Sequence, residues 1–247
     1  IYAYAQLIRS GELQPGEKLD VVVPSGNFGN LLAAYYARKM GLPLGVLLAA
    51  SNENKVIADF LTGNIYDKNR KMILTKSPSM DILISSNLER LLYDIAGETE
   101  TSRCMWELQA EGRYQISAEQ RAAMGELYGE FAGETECSRT IRDFYEKEGY
   151  LMDTHTAVAA AVAGKTKELK DKTLIVSTAS PYKFSAAVLE ALGGGKRTES
   201  FALPEELYER TGAPVPVGIA GLKNKPLRFT EVIDREEMKA AVLRFLK

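Results

Sequence analysis

The chain has 247 residues, 31 Lys and Arg against 33 Asp and Glu, a formal net charge of -2, and 45% hydrophobic with 26% charged residues, values that exclude a disulfide scaffold, a collagen-like chain and a disordered tail. The balanced charge, spread along the chain, gives no basic footprint for nucleic acid, and no run of about 18 apolar residues is present to cross a membrane. A chain of 27.2 kDa should bury about 70% of its extended surface and leave ~11,000 Å² exposed, enough for one large domain or two small ones.

Ile1–Ser10 reads as a helix stopped by Gly11. Nothing ahead of Ile1 caps it, there is no initiator Met, and no charged and then apolar leader is visible. The chain is therefore expected to begin inside an element, with sequence missing upstream. After a linker, Leu19–Val23 holds three adjacent valines without alternation, the pattern of a strand buried on both faces of a parallel sheet. The turn Pro24-Ser-Gly-Asn-Phe-Gly-Asn30 opens a helix to about Met40, stopped by Gly41 and Pro43. Its Leu31–Ala37 stretch has no charged face, which predicts burial on more than one side. Leu44–Ala50 is a second continuously apolar strand, so residues 19–50 form one β-α-β unit.

Residues 86–164 are expected to be mainly helical. Ser117-Ala-Glu-Gln120 has the capping-box pattern for a helix ending near Phe131. Ile141, Phe144 and Tyr145 line one face of the next helix, and Asp153 or Thr154 caps a small-residue helix, Ala157–Ala163. Thr173–Ser177 returns to the sheet as a third strand and leads through Thr178-Ala-Ser-Pro181 into a helix from Tyr182 to Leu192. Residues 196–247 form a C-terminal extension. It holds a Pro-initiated helix, Pro204–Arg210, and a final helix capped by Asp234-Arg-Glu-Glu237 with Met238, Val242 and Phe245 on one side. The whole reads as a single α/β domain over 1–247: a three-layer open sheet, mostly parallel, with helices on both faces.

Four segments could carry chemistry. Ser25–Asn30 follows a buried strand and opens a helix, where backbone N–H groups converge with the positive end of the helix dipole. Gly26 and Gly29 let the backbone approach an anion, and Asn27 and Asn30 can donate, so a phosphate would be met without any lysine. The pattern is neither a Walker A loop nor G-x-G-x-x-G, and a plain strand-to-helix turn is the other reading. Ser177-Thr-Ala-Ser-Pro-Tyr-Lys183 falls at the C-terminal end of a strand, where open α/β sheets bind ligands; a capped helix start with a solvent lysine explains it equally well. Asp153-Thr-His-Thr156 places His155 near a helix N-terminus, as a cap or packed side chain sooner than a catalyst. Without G-x-S-x-G a serine hydrolase has no support. Ser77-Pro-Ser-Met-Asp-Ile82, with Asn87 downstream, is by itself a polar loop. One histidine and no C-x-x-C leave no zinc site to expect, and Cys104 and Cys137 read as a reduced cytosolic pair.

Together and in this order these segments resemble threonine synthase, a pyridoxal phosphate enzyme of the tryptophan-synthase-β fold type. Val23-Pro-Ser-Gly-Asn-Phe-Gly-Asn30 is similar to its phosphate-binding loop, and Ser79-Met-Asp81 to its polar segment. Gly149-Tyr150 with Asp153-Thr-His-Thr-Ala-Val158 is similar to its Gly-Tyr…His-x-Ala-Val stretch, and Thr178-Ala-Ser-Pro-Tyr-Lys-Phe184 to its Thr-Ala-x-Pro-x-Lys-Phe segment. The resemblance implies that Gly26, Asn27, Phe28, Gly29 and Asn30 cradle the 5′-phosphate of pyridoxal phosphate. It implies that the Thr178 hydroxyl meets the pyridine nitrogen. Lys183 either helps bind an anionic substrate or only lies on a helix start.

The departure from the family is an absence. The Schiff-base lysine, anchor and proton carrier in this chemistry, belongs to a Lys-Asp-rich segment of the smaller domain, upstream, and nothing here matches it; neither Lys55 nor Lys183 sits in that motif. Full-length members are about twice this length. The chain is thus expected to be the larger, C-terminal part of a cytoplasmic threonine synthase, a lyase of threonine biosynthesis, lacking its N-terminal part. The complete enzyme would convert O-phospho-L-homoserine and water to L-threonine and phosphate by elimination and water addition. The chain alone would hold no catalytic residue and be inactive. The alternatives are another pyridoxal phosphate lyase or dehydratase of the same fold type, or a non-catalytic module that binds the cofactor or phosphate.

Overall fold

Residues 1–246 are described by a computed structural model, in which helices and strands alternate from the first turn. A short helix, α1 (Tyr2–Arg9), precedes β1 (Leu19–Pro24), α2 (Gly29–Lys39) and β2 (Leu44–Ser51). β1 and β2 pair in parallel across α2, as their apolar runs predict. Val21 and Val23 enter one hydrophobic core and Val22 the other, so the valine run is buried on both faces. Next come α3 (Val56–Gly63), β3 (Ile65–Asp67) and α4 (Leu88–Ala110), the last broken at Gly97. They are followed by β4 (Arg113–Gln115), α5 (Ala118–Ala123), β5 (Leu127–Phe131), α6 (Glu134–Glu148), α7 (Thr154–Ala163) and β6 (Lys172–Ile175). A 3-10 turn, Pro181–Phe184, leads into α8 (Ser185–Leu189); α9 (Leu203–Thr211) and α10 (Met238–Phe245) complete the chain.

The main sheet has the order β5-β2-β1-β6, and all three pairings are parallel. Helices cover both faces. Residues of α2, α3 and α4 pack with Val21, Val23, Leu47 and Ala49, while α6, α7, α8 and α9 pack with Val22, Val46, Leu48 and Ala50. The α/β fold with a parallel sheet between helices is as expected. Asp20, buried in β1, ties three segments together: its carboxylate accepts from Val46 N at 2.7 Å and from Lys170 N and Asp171 N at 2.9 and 3.1 Å. Both cysteines are free and buried.

Four expectations are corrected. The helix from Ser117 stops at Ala123 instead of running to Phe131, although Ser117 and Gln120 make the reciprocal capping box. Leu127–Phe131 is instead the edge strand β5, within a middle stretch that is otherwise mainly helical. Gly129 allows this, because a Cβ there would lie 2.7 Å from the Ala58 Cα of α3. β3 and β4 form a small antiparallel pair that the sequence pattern does not announce, three residues each being too short for periodicity to register. α2 is buried against one core and not on more than one side: Ala33 and Tyr36 are exposed while Leu31, Leu32, Tyr35 and Ala37 face that core. Finally, the accessible surface is 14,447 Å², above the expected value. Beyond residue 216 the apolar side of α10, with Met238, Val242 and Phe245, is exposed.

Candidate functional site

Parallel strands deliver their C-terminal ends to one edge of the sheet, and the site lies there. β1 ends at Pro24, and Ser25 continues its pairing by donating its N–H to the Ala50 carbonyl at 2.8 Å. Gly26 then passes so close to another segment that a Cβ would lie 2.8 Å from the Ser79 carbonyl oxygen and 3.2 Å from Met80 Cα. Phe28 takes a left-handed conformation, φ 63° and ψ 4°, immediately before α2. Its ring is 1% exposed and locked in the core. The backbone therefore reverses over Gly26–Asn30 while one large side chain pins the turn.

The result is a row of N–H groups. From Gly26 to Asn30 none has a hydrogen-bond acceptor among the described residues, and the first turn of α2 adds the positive end of its dipole. Successive N–H groups around a left-handed residue form an anion-binding concavity. They open on a cavity of about 290 Å³ that Ser79, Met80, His155, Thr178 and Lys183 also line. Every residue singled out from the sequence for binding thus lies at one cavity. Phe28 contributes its backbone alone. Asn27 lines the cavity, but its carbonyl accepts from Asn87 Nδ2 at 2.8 Å and its Oδ1 from the Ser86 hydroxyl at 3.3 Å, so it also fixes the loop to the start of α4. Thr178 is exposed just past β6. Lys183 is exposed at the rim, its Nζ 5.3 Å from the Phe184 ring centroid.

Asp153-Thr-His-Thr156 packs beside the Ser177–Thr178 segment, and of these four residues His155 lines the cavity. Asp153, the N-cap of α7, is fully buried and accepts from His155 N at 2.8 Å, from the Thr156 hydroxyl, and pairs with His155 Nδ1 at 3.1 Å. Burial pulls its carboxyl upward, but the bonds from His155 and Thr156 outweigh that and hold it below the usual carboxylate value. Thr156 Oγ1 also reaches Ser177 Oγ at 3.2 Å, next to Thr178. His155 Nε2 accepts from Ser79 N at 3.2 Å, and its ring packs 4.7 Å from Phe184. The histidine is a packed, bonded side chain, as its position suggests, and it also borders the cavity.

Asp81, quoted with Ser79, does not line the cavity. It gathers Asn52 Nδ2, Asn54 Nδ2, Thr75 N and Thr75 Oγ1 at 2.7–2.9 Å and so fastens the 75–81 segment to the end of β2. Sequence reasoning passed over Asn52, Asn54 and Thr75. The available signal was their place: Asn52 and Asn54 directly follow a buried parallel strand, where polar residues gather around ligands. Lys55 lies away from the cavity, 3.6 Å from Asp59 and over the Phe131 ring. Among the described residues, no group of three or more His, Cys, Asp and Glu could hold a metal ion, and no helix is long and apolar enough to cross a membrane. The cavity thus combines a row of neutral backbone donors with the Thr178 hydroxyl and the Lys183 ammonium, a donor set able to meet an anion.

Comparison with known proteins gives a consistent picture. The family described as "Threonine synthase, C-terminal" matches residues 156–242. The threonine synthase-like 1 protein of Mus musculus is 41% identical over 195 residues, which is 77% of this chain and 26% of that protein. Threonine synthase of Saccharomyces cerevisiae is 35% identical over 263 aligned positions, covering 98% of this chain and 49% of the relative. The crystal structure of the yeast threonine synthase superposes with a TM-score of 0.81 at 32% identity, over 99% of this chain and 50% of that one. A pyridoxal-phosphate-bound threonine synthase from Brucella melitensis gives 0.72 at 32% identity, over 84% and 44%. The chain thus spans from about a quarter to half the length of the relatives it matches.

Proposed function

We propose, for a chain that belongs to the threonine synthase family, that its cavity receives the 5′-phosphate of pyridoxal phosphate. We propose further that the complete enzyme converts O-phospho-L-homoserine and water to L-threonine and phosphate. The observation that carries this reading is the row of N–H groups from Gly26 to Asn30, without acceptors among the described residues and open to the cavity. The residues fit the cofactor. A phosphate dianion needs several donors and gains from a helix N-terminus, and Gly26 leaves no side chain between the cradle and the Ser79 wall.

When bound, pyridoxal phosphate supplies an electron sink for charge that builds up on the substrate. The chain's own residues bind and orient. The Gly26–Asn30 backbone fixes the phosphate end. Thr178 offers the pyridine nitrogen a neutral hydroxyl. Unlike a carboxylate, it does not hold that nitrogen protonated, and so it limits the charge drawn into the ring. Lys183 places an ammonium at the rim, where an anionic substrate enters. It is the sole lysine lining the cavity among the described residues, and it does not stand in the motif of the anchoring lysine.

In this reading the covalent anchor and most substrate contacts lie in the part of the enzyme that the yeast relative carries beyond this chain's span. Residues 1–247 are then one α/β domain with 196–247 as its extension, inactive alone. A titration of the chain with pyridoxal phosphate, followed by absorbance, borohydride reduction and peptide mass mapping, tests this. Saturable binding without a reduced lysine adduct is expected. A stoichiometric adduct on one lysine would place the anchor within this chain, and threonine formation by the purified chain would overturn its inactivity.

A further inference from the structure

We propose that His155 is a positioning residue of the cradle: it holds the Ser79–Met80 backbone against Gly26 and so sets the wall of the cavity that faces the N–H row. The inference rests on reading that cavity as a phosphate site.

The wall needs a tether. Between β3 and α4 the chain has a single 3-10 turn, Pro78–Met80, and Lys71–Leu74 is exposed. The Asp81 cluster fastens one side of this segment to β2. For Ser79 itself, the bond from its N–H to His155 Nε2 is the one hydrogen bond found among the described residues. Because Gly26 lies directly against the Ser79 carbonyl, a shift of this peptide unit moves the wall relative to the donors.

His155 is suited to the task. It is 3% exposed, packed at a tilt against Phe184, and held by a carboxylate that is itself fully buried. A backbone N–H donates to Nε2, so Nε2 carries the lone pair and Nδ1 carries the proton toward Asp153. The ring is thereby a neutral spacer of fixed tautomer. Toward the Ser79 wall it presents an acceptor, Nε2, and no proton. Through Asp153 and Thr156 the same assembly reaches Ser177, beside Thr178. One buried group therefore registers the Ser79 wall to the end of β6.

The test compares the chain with His155→Gln and His155→Asn. Glutamine can still present an oxygen to the Ser79 N–H, whereas asparagine keeps only a donor to Asp153. Both lose the ring contact with Phe184. Two quantities are read: the exchange rate of the Ser79 amide, and the dissociation constants for inorganic phosphate and pyridoxal phosphate. His155→Asn should speed Ser79 exchange and weaken both anions by about tenfold, the ratio for one hydrogen bond of ordinary net strength. His155→Gln should recover most of both, with melting temperatures of the two variants within about 2 °C of each other. Equal anion affinity in all three proteins would overturn the inference and leave the cradle standing, as would faster Ser79 exchange with unchanged affinity. A wild-type chain that takes neither anion would overturn the phosphate reading, and the inference with it.

Discussion

At Phe28 the chain accepts a left-handed backbone on a bulky residue, which costs about 1–2 kcal/mol. Burying the ring in the core offsets this by roughly 1.5–3 kcal/mol, so the turn is stable while its N–H groups stay turned to the cavity. Gly26 sets the other limit of the same turn. Gly26→Ala should push the Ser79–Met80 segment away, since the new Cβ would meet backbone and not a flexible side-chain end. Pyridoxal phosphate affinity is expected to fall more than about tenfold, with a melting temperature lowered by only ~2–8 °C, as for a 1–2 kcal/mol loss in a chain of this size; calorimetric titration and thermal melts check both. Asp153 makes the pH dependence specific. Its carboxyl lies lower folded than unfolded, so its stabilisation is present above the ordinary carboxylate value of about 3.9 and is lost as pH falls through its folded value. Asp153→Asn should flatten the acid limb of a stability–pH curve below about pH 4 relative to wild type, while lowering stability at neutral pH.

The β1-α2-β2 unit was legible because its signals agree: continuous apolar runs, a Gly-rich turn, then glycine and proline stops, each pointing to the same buried parallel pair. The candidate site was legible for the same reason, since Ser25–Asn30 and Ser177–Lys183 follow strands and strand ends set where ligands bind. β5 was not legible. Leu127-Tyr-Gly-Glu-Phe131 directly follows a correctly capped helix, and its edge position leaves Leu127 alone fully buried. The cue that decides it is a contact 71 positions back along the chain, Gly129 against Ala58, which no local pattern carries. That contact gives a test. Gly129→Val adds β propensity yet forces α3 off the sheet, and overpacking of this kind should lower stability by about 1–3 kcal/mol, read from urea unfolding; a stabilised variant would show that α3 yields easily. The Asp81 cluster escaped notice likewise, because Asn52, Asn54 and Thr75 become partners only when the 75–81 segment folds over the end of β2.

Across the whole molecule, order of burial divides the chain. Two hydrophobic cores flank the sheet, and their buried members end at Leu207. Beyond it Val217, Leu227 and Val232 are 86–94% exposed. Trypsin should therefore cut first at Lys223 and Arg228, and the fragment ending there should melt within about 2 °C of the intact chain; early cleavage inside 19–176 instead would show the sheet to be the weaker part. The parallel sheet has a further consequence, for the chain as it is made. Leu19 of the central strand pairs with Lys172, about 150 positions later. At roughly 5–20 residues per second, β6 leaves the ribosome ~8–30 s after β1. For that interval the valine strand has one side of its ladder unfilled, and an open apolar edge is a template for wrong partners. The strand at the heart of the finished protein is thus the one longest at risk during its birth.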